Sequence, residues 1–509
     1  MLYSSLNKQK MLNRFLCFAF TMMLAGCSTG VNFNPAAFFK GNTPKKQCKQ
    51  YSQLSLADAN AKMDLTIYQL QHNIERSLVF REKITANLAK LTQYTDQDKP
   101  FSPLLIDKLS QAIKTEIDLM RPILATAVRH GCWIKHEKLK VKNSIKLKGN
   151  MIVLATLVSL YDEYGTVFAV ISENDRLRRF LNNADSGYDR DEYLLESLTK
   201  MFIDSDLLSY TTELIQEYNQ GKDVIEQLAQ GDDNLAYLIN VVEQSKSFPV
   251  LLEMDFFDAA NYRRKVRRRV TSDTLQNIGR ATINGLSEGF SNAVGDYEER
   301  KGLLYQDKQV AAALTSQLQI GDILLEKTPF RLTDSMIPGH WGHAAVWIGT
   351  EQELKSIGLW QHALVKPYQQ QIQAGELIAE SLRSGTQLSS LAHFLNVDDV
   401  AIVRSKKLLS KAQLRETILL ALRQIGKAYD FNFDVETTDK IVCSQLVYLA
   451  YSHIQWPTES TLGRYTISPD NIAVKALNDG PFELMVFYHD GKLMKNNPLE
   501  LMGTLMKNE

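Results

Sequence analysis

The sequence has no charge of either sign to spare: 58 Lys and Arg stand against 58 Asp and Glu over 509 residues. A chain so balanced has no general attraction for nucleic acid, and any polyanionic partner must be met locally. After the first 27 residues it also lacks an apolar run of membrane-spanning length. The most apolar stretch, MIVLATLVSLY from Met151, is interrupted by Asp162 and Glu163 and predicts a buried core helix instead of a span. Calcium ligands are missing where one loop superficially offers them. With Gly187 of NADSGYDRDEY at the sixth position, Ala184 and Tyr193 fall where oxygen ligands are required. That excludes an EF-hand and leaves a turn followed by an acidic helix start. No metal or cofactor is expected from any motif. Cysteine is scarce, with five in the chain, so each can be weighed singly.

What is present begins with a targeting segment. Lys8, Lys10 and Arg14 precede the apolar run FLCFAFTMML, which ends in LAGC at Cys27. The run is too short for a mature membrane helix, and small residues before the cut favour a signal peptide. Residues 1–27 resemble a bacterial lipoprotein signal, which implies cleavage before Cys27 and lipidation of its sulfur. Lipid chains there would tether the protein to a membrane surface, each buried methylene adding about 0.8 kcal/mol. Ser28, instead of an inner-membrane retention Asp, implies the outer membrane facing the periplasm. Residues 28–50 read as a tether. Export leaves Cys48, Cys132 and Cys443 in the mature chain. Cys48 and Cys132 are the natural pair for a disulfide in an oxidising compartment, with three reduced cysteines as the standing alternative.

The length suggests two or three domains. From Tyr51 to Gly302 nearly every segment suits helices, with apolar residues recurring at three and four and turn signals such as DQDKPFSP, NQGKD and AQGDDN between them. Residues 51–302 therefore predict an all-helical bundle domain. Within it, NYRRKVRRRV packs six cations from Arg263 to Arg269. This run is either a site for anionic lipid or polymer or a solvated face paired with Glu253, Asp255 and Asp258. Residues 303–490 change texture: LQIGDILLEK, HAAVWIGT, ELIAESL, DVAIVRS and ELMVFY are short apolar runs fitting strands of a small sheet. Two helices interrupt them. One has Ser410 and Gln413 as a capping box and stops at Gly426; the other carries Cys443. Residues 491–509 read as a C-terminal tail. The expected fold class is α+β, an all-helical domain followed by a sheet domain.

Cys443 sits in DKIVCSQLVYLAY, at the start of an apolar helical run. With Asp439 or a neighbour as cap it falls in the first turn, where the macrodipole and unpaired N–H groups stabilise a thiolate. The same N–H groups suit an oxyanion. A base is needed, and GHWGHAAVWIGT places His343 flush against a strand with His340 just before it.

Taken in order, GDILLEK, GHAAVWIG, LIAES, IGKAYDFNF, IVCSQLVYLAY and ISPDNIA resemble the permuted NlpC-type papain-like proteins, the YiiX/YaeF-like group. The resemblance covers roughly 314–488 and implies a circularly permuted papain-like fold with the nucleophile helix late. By that likeness Cys443 is the nucleophile, His343 the base and Glu380 of LIAES the residue that orients the imidazole. Tyr429 and Asp430 match a Tyr-Asp pair that walls the cleft, with Ser444 beside the thiol. Two departures stand out. Gln445 occupies a position where Glu is expected. The segment from Glu351 to Gly375 is long, suggesting a lid or hairpin, and its His362 is an alternative third residue.

Together the two resemblances imply a lipid-anchored cysteine peptidase or amidase acting on an amide of a cell-wall peptide. A lipid-directed acyltransferase or amidase of the same fold, and a non-catalytic envelope scaffold, are the other readings.

Overall fold

The computed structural model describes residues 48–95, 99–133, 142–168, 171, 174–253, 264, 300–331, 337, 339–430, 434–461 and 464–508. The signal segment, Cys27, nearly all of the tether and every cation of the basic run except the exposed Arg264 lie outside them. Residues 48–51 begin the described structure as a short helical turn, so the segment read as a tether to residue 50 is already folded at Cys48.

Three long helices, Leu56–Thr95, Pro103–His130 and Asn143–Glu163, pack against one another. The second starts cleanly: Ser102 accepts from the N–H of Leu105, and Pro103 occupies a position whose N–H would be unpaired anyway. The third contains the MIVLATLVSLY stretch, every residue of which from Met151 to Leu160 is buried. Its environment is protein core. No helix among the described residues is long and apolar enough to cross a membrane. Cys48 and Cys132 are joined by a disulfide, Cα atoms 6.3 Å apart. Beside the bridge Trp133 lies in T-shaped contact with Tyr51, 5.3 Å between ring centroids, and donates its indole N–H to His130.

The C-terminal half is built on one antiparallel sheet. Its strands are β1 (Ile323–Lys327), β2 (His343–Trp347), β3 (Glu376–Leu382), β4 (Gly385–Ser390), β5 (Asp399–Ser405), β10 (Phe482–His489) and β11 (Lys492–Leu493). Their order across the sheet is β11-β10-β5-β1-β2-β3-β4. Short pairs complete the strands: β6 (Ala428–Tyr429) with β7 (Lys440–Ile441), and β8 (Glu459–Thr461) with β9 (Arg464–Thr466). All five apolar runs singled out in the sequence are strands of the large sheet. β1 and β2 are buried on both faces, which explains why they read as near-continuous apolar runs instead of alternating ones. The Ser410 capping box opens the Lys411–Leu422 helix.

Residues 491–509 are not a tail. Asp490 and Gly491, both with positive φ, turn the chain into β11, an Asp-Gly hairpin of the kind favoured by strand twist. A helix then runs over Pro498–Asn508, with Met502 fully buried. The 351–375 segment also differs from the expected lid. It forms two short helices, Glu351–Ser356 and Gln369–Gln373, and is tied to the Lys411–Leu422 helix through Arg415, whose guanidinium donates to the carbonyls of Ile357 and Gly358.

The helical and sheet regions lie in one compact unit, Pro35–Glu509. Their contact is polar and buried. Arg190 donates to the hydroxyl of Thr438 at 2.7 Å, and Lys427 pairs with Asp185 at 2.8 Å with both side chains about 2 % exposed. Glu436 accepts from Arg176 and from the N–H of Phe101, while Tyr448 donates to the carbonyl of Phe101. The turn NADSGYDRDEY thus supplies docking groups, and Gly187 fits because a Cβ there would meet the carbonyl of Arg423 at 2.5 Å.

Candidate active site

The Cys443–Ala450 helix is buried along its whole length, packed against β2, the Lys411–Leu422 helix and the Pro103–His130 helix. Cys443 is its first residue, and the cap is Val442, not Asp439. The chain from Asp439 runs extended through β7 before the helix can start. Because valine offers no side-chain acceptor, the first-turn N–H groups are not covered by a side-chain cap, and the positive end of the helix lies at the thiol. Cys443 is the free cysteine of the described residues, and it is buried.

His343 opens β2 and Glu380 lies within β3. The register pairs Ala345 with Glu380, so Glu380 is the diagonal neighbour of His343 on one face, within reach of a long side chain. The imidazole Nε2 and the Glu380 Oε2 are 3.0 Å apart. With Nε2 so held, the other ring nitrogen is left for the thiol, and Cys443 lies close enough to His343 to influence its protonation. Burial disfavours the imidazolium, but the Cys443 sulfur, the hydrogen bond to Glu380 and the charge of Glu326 together raise the His343 pKa well above its ordinary value. Glu380 is almost wholly buried, which alone would push its pKa up; the hydrogen bond and charge of His343, with Ser389 and the charge of His393, together outweigh this and lower it. A ring contact with Phe394, 6.1 Å between centroids, limits rotation of the imidazole.

The other sequence-derived site residues fall differently. Tyr429 is half-buried, and burial, then the proximity of Cys443 and Asp430, raise its phenol pKa well above normal, against an opposing effect of Arg383. It therefore stays neutral close to Cys443. Asp430 is fully buried and shapes the loop behind the site: its N–H donates to Ile441 and its carboxylate accepts the N–H of Asp434. The Ser444 hydroxyl is a correction. It is buried and donates to the carbonyl of Ile467 at 2.6 Å, anchoring the helix instead of facing a cleft. His362 is not part of the set; its Nδ1 accepts from Leu364, and burial, Arg415 and Arg423 lower its pKa. Gln445 acts as a brace. Its amide donates to the carbonyls of Val435 and Thr437, and its oxygen accepts from Val442, fixing the loop that delivers Cys443.

Two neighbours went unread in the sequence. Glu326, buried in β1, lies directly opposite His343 in register, and Arg383 follows β3 near Tyr429. The signal for Glu326 was present in GDILLEK, but a carboxylate at a strand end reads as solvated. His340 faces away, with its Nε2 on Asp399 at 3.0 Å.

Residues 317–495 match the family model described as a permuted papain-like amidase enzyme, YaeF/YiiX, C92 family. No curated protein and no solved structure matches the chain.

Proposed function

From a C-terminal region that belongs to the permuted papain-like amidases, we propose that the protein hydrolyses an amide with Cys443 as nucleophile, His343 as base and Glu380 as the residue orienting the base. The observation that carries this reading is the bond of His343 to Glu380 beside a thiol at a helix start. His343 takes the thiol proton, and the thiolate attacks the carbonyl carbon. The developing oxyanion is met by first-turn N–H groups. His343 then gives its proton to the leaving nitrogen, breaking the C–N bond and leaving a thioester. Water, deprotonated by His343, releases the acid and regenerates the thiol.

A neutral phenol from Tyr429 close to the thiol, with the Arg383 guanidinium near that phenol, suits a polar peptide better than an acyl chain. This supports a cell-wall peptide as substrate, with the enzyme tethered through a lipidated Cys27 at the outer membrane. The basic run from Arg263 to Arg269 would add contact with anionic lipid or polymer.

The test is labelling with an acyl-directed thiol-reactive probe. Wild type should label at Cys443, Cys443→Ala not at all, and His343→Ala at least about 100-fold more slowly. Slow labelling indifferent to His343 sinks the catalytic reading. Incubation with purified peptidoglycan and, separately, with phospholipid vesicles assigns the substrate: new amino termini support the peptide reading, and acyl release from the vesicles overturns it.

A further inference from the structure

Three side chains outside the thiol site converge at one end of the sheet. His340 lies in the loop entering β2, Asp399 opens β5 and His489 ends β10. Their candidate ligand atoms all lie within 4.8 Å of one another. Asp399 Oδ2 is 3.0 Å from His340 Nε2 and 2.7 Å from His489 Nδ1. The geometry points to a site for a divalent late first-row cation, Zn²⁺ by its chemistry, held by these two imidazoles and one carboxylate.

The donor set fits. Two imidazoles and a carboxylate are suited to Zn²⁺, and a tetrahedral ion about 2.05 Å from each ligand separates them by about 3.3 Å. The two nitrogen-to-oxygen distances are already close to that. Binding requires the two imidazole nitrogens, up to 4.8 Å apart, to close by about 1.5 Å and the protons lying between them and Oδ2 to leave.

The surroundings hold the ligands in place. The N–H of Asp490 donates to Asp399 Oδ1 at 2.9 Å, leaving Oδ2 to act as a single-point ligand. The His340 loop is fixed by Asp470, whose carboxylate accepts the N–H groups of His340 and Trp341. Gly339 permits that approach, because a Cβ there would lie 2.4 Å from the Asp470 carboxylate. On the outer side, His489 Nε2 is 3.8 Å from Asp490 Oδ2, the carboxylate partner that metal-bound imidazoles commonly have. Trp341 and Phe487 wall the inner side, their rings 5.6 Å apart. The His489 side chain is 25 % exposed, which leaves a route for the ion and room for water as a fourth ligand. Bound metal would clip three chain segments together three residues before His343.

The experiment uses the full mature chain carrying Cys443→Ala, which removes the competing thiol. Titration with Co²⁺ should give one equivalent with the intense visible bands of a tetrahedral ion, and Zn²⁺ should displace it and raise the melting temperature. His489→Ala, at a partly exposed hairpin corner, should weaken Co²⁺ binding at least about 100-fold and abolish the Zn²⁺-dependent melting shift. Asp399→Asn should do the same. Absence of the bands in Cys443→Ala overturns the proposal, whether or not wild type shows them. Bands unchanged by His489→Ala overturn it equally. Circular dichroism of each variant without metal separates lost ligation from lost folding.

Discussion

Glu380 reaches His343 diagonally across the β2–β3 ladder, Oε2 to Nε2 at 3.0 Å, from a strand position directly opposite Ala345. Both residues are fixed by backbone pairing, so the orientation of the imidazole is a property of the sheet and not of a loop.

Glu380→Gln preserves the shape of this contact and removes its charge. On any amide substrate that the enzyme turns over, kcat should fall by about 10²–10⁴-fold with KM little changed. A KM effect with unchanged kcat would show Glu380 to be a binding residue.

The pH dependence follows from the two shifts. His343 is raised, so its contribution to stability is fully present below the unfolded value of about 6.5 and is lost as pH rises through the higher folded value. Glu380 is lowered, so its contribution is present above about 4.3 and is lost as pH falls through its folded value. Alkylation of Cys443 with iodoacetamide should therefore stay fast at pH 6 in wild type. In His343→Ala it should drop by tenfold or more at pH 6 and change far less at pH 9, about where a free thiol ionises unaided. Equal loss at both values would mean that His343 serves only to pack.

Gln445 donates to two carbonyls, those of Val435 and Thr437. Gln445→Glu replaces both donations by a carboxylate facing two oxygens and should cost about 2–4 kcal/mol in urea unfolding. Lowering the pH to protonate the new carboxyl should recover part of that. An unchanged midpoint would remove the amide's bracing role.

Asp185 and Lys427 form a buried pair between the helical and sheet regions. Asp185→Ala strands the ammonium and should destabilise the protein by about 3–5 kcal/mol. Pairing it with Lys427→Met should return part of the loss, because the stranded ammonium is then gone while Arg190, 3.8 Å from Asp185 and as deeply buried, still lacks that carboxylate. If the double variant is as unstable as the single one in denaturant melts, the cost does not lie in the stranded ammonium.

Five strands of the sheet were legible because each is a short apolar run bounded by turn residues, and because His343, Glu380 and Cys443 stand in an ordered series of motifs; β4, the polar GTQLSS, and the two-residue β11 carried no such signal. Other features depended on partners too remote to read. Thr438 meets Ala184 across 254 residues and Arg423 meets Gly187 across 236, so NADSGYDRDEY showed its turn but not what it docks against. Ser444 and Asp439 failed locally: the hydroxyl turns inward to Ile467, and an extended β7 delays the helix to Cys443. The final segment was short and polar enough to read as tail, with Met502 its one fully buried apolar anchor.

The loop leading to Cys443 leans on Phe101, Arg176 and Arg190 of the helical region, so the C-terminal half is not a portable module. Chimeras that exchange the helical region for another would inherit a thiol whose approach strand has lost its backing. Variation in either half is constrained by the other, and the pair must change in step.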